Sequence, residues 1–207
     1  MMYRHDPVLD PVKVGDLRPT QMTVGYREVK EKRRRWRERA ERDGPEFLGR
    51  HTIPVVKGPK EALYVVDHHH LARALHEEGV DVIAVNVIAD LRALKRDEFW
   101  TLCDNRGWCH PYDDEGERRT FADIPKSIDR LADDPFRSLA GELRRAGGYA
   151  KEDTPFTEFM WADFLRRRVK RKLVQEDFGS ALTKALALAK SPAAGHLPGW
   201  CGPASDL

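Results

Sequence analysis

Between Tyr64 and Gly79 the chain reads YVVDHHHLARALHEEG, three consecutive histidines behind an acid and ahead of a helical pattern. Imidazole near neutral pH can ligate a metal, bind an anion or move a proton. It can also do nothing more than sit at the start of a helix. Helix geometry weighs against the metal, because consecutive residues project about 100° apart and three rings cannot converge on one ion. An anion fits better. First-turn N–H groups have no intrahelical partners and lie at the positive end of the helix dipole, so a helix capped by Asp67 places His68, His69 and His70 around an anion site. Leu71, Ala74 and Leu75 then share a core-facing side, while His69, Arg73 and His76 fall at spacings of four and three and form a basic stripe. On this reading affinity for an anion falls as pH rises through the ordinary histidine pKa of roughly 6.5.

Other clusters carry less. Cys103, Cys109 and His110 have no fourth ligand in view and match none of the usual zinc spacings. Residues 30–42 (KEKRRRWRERAER) and 166–172 (RRRVKRK) are dense basic runs, either solvated helix faces or phosphate-backbone contacts. Of the first run, Arg33, Arg34 and Arg35 are the candidates for nucleic-acid contact. Residues 154–164 (TPFTEFMWADF) read as a helix with an aromatic core face. Glu158 and Asp163 on it are five apart and face differently, so they do not read as a catalytic acid pair.

The elements that must position these residues are short. Residues 8–14 read as a strand, 15–20 (GDLRPT) as a loop, and the stripe Tyr26, Val29, Arg33, Trp36, Ala40 as a charged helix that ends at Asp43, Gly44 and Pro45. Residues 51–56 (HTIPVV) read as a strand that Pro54 places at a sheet edge. Residues 62–66 (ALYVV) are a buried strand, Asp67 to Glu78 a helix stopped by Gly79, and 80–89 (VDVIAVNVIA) a third strand. Beyond Asp90 helical periodicity dominates, in residues 91–103, 121–131, 135–146, 156–174 and 178–190. The Pro- and Gly-rich residues 191–207 form an irregular tail. The fold class is α+β: a mixed-sheet domain over residues 1–95, then a mainly helical region over 96–207 packed against it.

Bulk properties exclude several classes. With 207 residues the chain can bury a core without disulfide or metal staples. Three cysteines at uneven spacing read as free thiols. No apolar run suits a membrane span, and MMYRHDPVLDPV lacks the apolar centre of a signal peptide, so the expectation is a cytoplasmic protein. The net charge is only +2, which concentrates any electrostatic attraction in the two basic runs.

The succession VKVGDLRPTQ, HTIPVV, YVVDHHHLARALHEEG and VDVIAVNV resembles the ParB/sulfiredoxin superfamily over roughly residues 8 to 95. Within it the chain is most similar to the bacterial proteins grouped as ParB-like nucleases. The resemblance implies a phosphate-binding box at Asp67, His68, His69 and His70, with Arg73 supplying charge and Thr20 and Gln21 on the loop beside it. DHHHLAR lacks the glycine and the paired arginines of the partition-protein box, which weighs against triphosphate binding in that manner, and no helix-turn-helix follows.

Two functions stay open. In one, a phosphorylated ligand, either a nucleotide or a nucleic-acid end, is bound and its phosphoester hydrolysed. His69 or His70 then acts as acid/base, and Asp67 orients a histidine or recruits a divalent ion, Mg²⁺ or Mn²⁺. In the other, the box holds phosphate without chemistry and the basic helix contacts nucleic acid. No resident cofactor is required by either, and no membrane partner is expected.

Overall fold

The structure is a computed structural model that describes residues 9–43 and 52–203. In chain order its elements are β1 (Leu9–Lys13), β2 (Leu17–Pro19), β3 (Thr23–Val24), α1 (Tyr26–Asp43), β4 (Ile53–Lys57), β5 (Leu63–Val65), α2 (His69–Glu77) and β6 (Val82–Asp90). The second half adds α3 (Arg96–Asn105), β7 (Ala132–Asp133), α4 (Pro135–Arg145), α5 (Thr157–Arg166), α6 (Arg171–Glu176) and α7 (Phe178–Ala189). The α+β expectation is met. All five strands of the main sheet lie before residue 91, in the order β1-β6-β4-β5-β2, with parallel and antiparallel pairs mixed.

Pro54 does not mark an edge. β4 is the central strand, parallel to β6 and antiparallel to β5. Proline is tolerated because it stands where β5 runs out: its carbonyl accepts the Val66 N–H at 3.1 Å, and the donor it lacks would face the same outgoing segment. His51, read as the first residue of that strand, and the Gly44–Pro45 helix stop lie outside the described residues.

Three apolar clusters hold the molecule. One face of the sheet packs Ile53, Val55, Val65, Ile83 and Val85 against Val29 and Trp36 of α1 and Ala72 and Leu75 of α2. The other face packs Val56 and Tyr64 against Phe99, Trp100 and Cys103 of α3. The third cluster lies among α4 to α7, around the fully buried Trp161, Leu139 and Leu165. Ile128 and Leu131 join the first cluster, so residues beyond 95 contribute to the cores on both faces of the sheet.

Two helical expectations fail. Residues 121–131 carry only the 3-10 turn Ile128–Arg130, because Pro125 removes a helical donor while Ile124, Ile128 and Leu131 drop separately into the cores. Residues 156–174 break into α5 and α6, because buried Val169 turns inward where both Arg168 and Val169 close onto the Leu165 carbonyl. Residues 191–203 of the tail hold the 3-10 turn Pro192–Ala194 and are otherwise irregular and packed: Trp200 donates Nε1–H to the Ala189 carbonyl at 3.0 Å, and Pro198 accepts from Trp161 at 2.9 Å; residues 204–207 lie outside the described residues. Among the described residues no helix is long and apolar enough to cross a membrane.

Candidate anion-binding cleft

The strand before the triplet ends at Val65 and α2 begins at His69, so Asp67 is not the cap. His68 is. It stands at φ 65°, in the left-handed region, and makes no side-chain cap bond. Asp67 instead accepts the His68 N–H at 2.6 Å and is otherwise exposed. The N–H groups of the first helical turn are therefore left without a side-chain cap.

The loop between β2 and α1 lies over this helix start and explains two of the three histidines. Its buried donors need acceptors. Thr20 donates its N–H to His69 Nε2 at 3.1 Å, and Gly25 donates its N–H to His70 Nε2 at 2.9 Å. Accepting at Nε2 leaves the proton of each neutral ring on Nδ1. Burial pushes His69 down to about 3, with His70 acting in the same sense and Asp67 and the Val65 carbonyl opposing. Burial likewise pushes His70 down to about 3, against the pull of Glu28. Both rings are neutral at physiological pH, so the expected weakening of anion binding through pH 6.5 has no basis in them.

Gly25 is fixed by the same packing. A Cβ there would lie 2.8 Å from the Ser138 backbone nitrogen and 3.0 Å from its Cα, atoms of α4 that cannot swing aside. Gly25→Ala is expected to cost about 1–3 kcal/mol through overpacking. In a chain of this size that lowers the thermal midpoint by roughly 2–12 °C, readable by calorimetry.

The uncapped helix start opens into a cleft of about 810 Å³ whose opposite wall comes from the second half of the chain. Its floor is a charge network. Glu28 lies 3.6 Å from both His70 Nε2 and Arg137 Nη1, Arg137 Nη2 donates to Glu158 at 2.9 Å, and Arg144 pairs with Glu158. Burial works to raise the Glu28 carboxyl, but His70, Arg137, Lys32 and Arg145 outweigh it and hold it at about 2. Since His70 is neutral above its own pKa, the arginines and Lys32 are the operative counter-ions near neutrality. Arg137 is 6% exposed, and its Nε and Nη1 have no hydrogen-bond partner; the 3.6 Å approach to Glu28 is a charge contact too long for a hydrogen bond. Lys32 also lines the cleft and forms no hydrogen bond or salt bridge among the described residues.

The remaining sequence candidates separate. His68 and Gln21 line the cleft. Thr20 does not: it is fully buried and its hydroxyl donates to the Val65 carbonyl at 2.7 Å. Arg73 points away, donating to Glu77 and to the Ile128 and Asp129 carbonyls, and it does not share a mouth with His69. Arg33 bridges α1 to Glu77 and Glu78 of α2, and Arg34 and Arg35 pair with Glu31. The second basic run is riveted too, Arg166 to buried Asp134 and Arg171 to Asp114 and Glu115. Among the described residues no three His, Cys, Asp or Glu side chains are grouped so as to hold a metal ion.

Glu28, Lys32, Arg137 and Arg144 are the cleft residues that sequence reasoning missed, and Glu158 was set aside. One signal was readable. Arg137 falls among the apolar positions Phe136, Leu139 and Ala140 of α4, where an arginine must find buried counter-charges.

A protein-family model described as "Putative ParB-like nuclease" matches residues 11–167. The chain belongs to the ParB-like nuclease family. The match runs well past residue 95, the limit of the resemblance read from sequence, and takes in α4 and α5, so both walls of the cleft lie within the ParB-like nuclease region. The crystal structure of protein Atu1540 from Agrobacterium tumefaciens is similar, with 52% identity over 96% of this chain and 98% of that one and a TM-score of 0.90. No curated protein matches.

Proposed function

We propose that this ParB-like nuclease family member binds a phosphorylated ligand in the cleft, with a phosphate group at the N-terminus of α2. Acidic and basic side chains line the cleft five to five, so net charge does not select an anion. Placement does. The observation that carries the reading is Arg137, buried on the cleft floor with two nitrogens lacking acceptors, beside a helix start that no side chain caps. Unsatisfied buried donors are costly, and an anion at the helix start supplies negative charge and acceptor oxygens where both are missing. Lys32, which lines the same cleft near Glu28, adds a further positive charge. The geometry supports binding better than acid/base work by His69 or His70, whose Nε2 atoms are already committed to holding the loop.

Titration calorimetry with inorganic phosphate and nucleoside monophosphates tests this. Wild type is expected to bind, and Lys32→Ala to bind roughly 10- to 100-fold more weakly, the loss of one charge-assisted contact. Wild-type protein that binds none of these ligands would refute the reading.

A nucleic-acid end as the ligand has its own support. The cleft continues, through Lys32, His68 and Arg144, into a groove of about 470 Å³ between α1 and α4. Lys32, Arg35, Arg39, Arg144 and Arg145 line it together with Glu28 and Glu31, and Arg35, Arg144 and Arg145 pair with Glu31, Glu158 and Glu142. Labelled single- and double-stranded DNA, with and without Mg²⁺ or Mn²⁺, separates the two functions: products mark a hydrolase, and salt-sensitive retention without products marks a binding module.

A further inference from the structure

Of the triplet, His68 alone has a ring nitrogen that the fold leaves free. Its Nδ1 lies 3.2 Å from the Thr52 carbonyl, an oxygen that can only accept, so the neutral ring carries its proton on Nδ1 and holds a bare lone pair on Nε2. Nε2 makes no hydrogen bond among the described residues. The ring is half exposed and lines both the cleft and the groove that continues it, whereas His69 and His70 are buried. The Asp67 carboxylate stands 3.9 Å from Nε2, beyond hydrogen-bond reach but close enough to pair with the ring once Nε2 has taken a proton. The backbone points the same way. His68 sits at φ 65°, where a side chain carries about 1–3 kcal/mol of strain that glycine would avoid, and such strain gathers at functional sites.

We infer that His68 is the general base of a phosphoester hydrolysis in this cleft. The inference rests on the phosphate reading above and adds a reaction to it. His68 immediately precedes the uncapped turn of α2 and lines the cleft into which that turn opens, so its lone pair and a phosphate held by the turn share one space. Nε2 takes a proton from water as the water oxygen forms its bond to phosphorus; the bond from phosphorus to the ester oxygen breaks, and that oxygen keeps the electron pair. The proton then passes from Nε2 to the departing oxygen, which leaves as an alcohol, and the ring is neutral again. One phosphoester and one water give one alcohol and the phosphate that remains. His69 and His70 cannot take this role, because their Nε2 atoms already accept the Thr20 and Gly25 N–H groups.

Release of p-nitrophenolate from p-nitrophenyl phosphate and from its bis-ester by the full chain, with and without Mg²⁺, tests the assignment, alongside calorimetry with inorganic phosphate. Wild type is expected to hydrolyse at least one ester. His68→Gly, which relieves the left-handed strain and therefore folds, should lower kcat roughly 100- to 10,000-fold, the usual contribution of a positioned base, while inorganic phosphate binds as before. Added imidazole should restore part of the lost rate, which a merely structural role would not allow. On unmodified protein, long-range ¹H–¹⁵N correlation should show the neutral His68 ring protonated at Nδ1 and bare at Nε2. A His68→Gly variant that keeps its rate, a loss that imidazole does not restore, or a proton on Nε2 of the neutral ring would overturn the assignment. Wild-type protein that binds phosphate but turns over neither ester would overturn it too and leave the phosphate reading standing. Failure to bind phosphate would overturn both.

Discussion

Arg137→Ala is expected to destabilise the protein by about 3 kcal/mol, the range for removing one partner of a buried ion pair. The loss follows from what remains. Glu158 keeps only Arg144, and Glu28, already held ionised against its burial, loses the guanidinium 3.6 Å away. Both carboxylates then stay desolvated and under-compensated. For a chain of this length the loss corresponds to a drop in thermal midpoint of roughly 6–12 °C. Urea unfolding reads the difference directly, as a lower midpoint with an unchanged slope. Arg137→Lys, which keeps the charge and gives up the fork, should recover part of it. A change under about 1 kcal/mol for Arg137→Ala would mean that the network is incidental to the fold.

Acid is expected to unfold the protein steeply, and the buried histidines set the direction. His69, His70 and His110 are each pushed down to about 3, in every case chiefly by burial. In the unfolded chain each titrates near its ordinary value of roughly 6.5. Between those values the unfolded chain binds protons that the folded one refuses, so stability is complete above about pH 6.5, falls as pH drops, and stops falling from this source near 3. Each ring contributes roughly 1.4 kcal/mol per pH unit within the window, so the three together contribute about 4 kcal/mol per unit. Glu28 adds the same sense lower down: held at about 2, it supplies stability above its ordinary pKa that is lost as pH falls through the folded value. Against a total of roughly 5–15 kcal/mol, unfolding is expected by pH 4 to 5. Circular dichroism along a pH series measures this, and proton uptake on unfolding near pH 5 should be about three. The double variant His69→Gln, His70→Gln, in which an amide oxygen can take over the acceptor role, should reduce the uptake by two. Stability that stays level from pH 6.5 to 4.5 would contradict the buried, neutral assignment.

What was legible in the sequence was whatever depends on neighbours along the chain. The alternation of residues 80–89 marks β6, the stripe through Val29 and Trp36 marks the inner face of α1, and Gly79 marks the end of α2 at φ 70°. The order of these elements was enough to point to the family. Pro54 misled because its meaning depends on where β5 stops, which is a fact of pairing and not of β4 itself. The site was legible only as a location. The triplet does stand at a helix start, but the jobs of His69 and His70 are set by the Thr20 and Gly25 N–H groups, 49 and 45 residues away. Arg33 looked available for phosphate because its partners, Glu77 and Glu78, lie on another helix. The far wall of the cleft comes from α4 and α5, and nothing local to Arg137 or Glu158 announces that they meet beneath α2.

The claim that a phosphate group sits at the start of α2 is tested most directly by following backbone amide resonances while inorganic phosphate or adenosine 5′-monophosphate is added to ¹⁵N-labelled protein. The N–H groups of His69, His70 and Leu71 have no intrahelical acceptor, and their resonances should shift most, moving downfield as hydrogen bonds form, with the Arg137 side-chain Nε–H following. The account is contradicted if those amides stay in place while resonances elsewhere move, or if saturating ligand moves none at all.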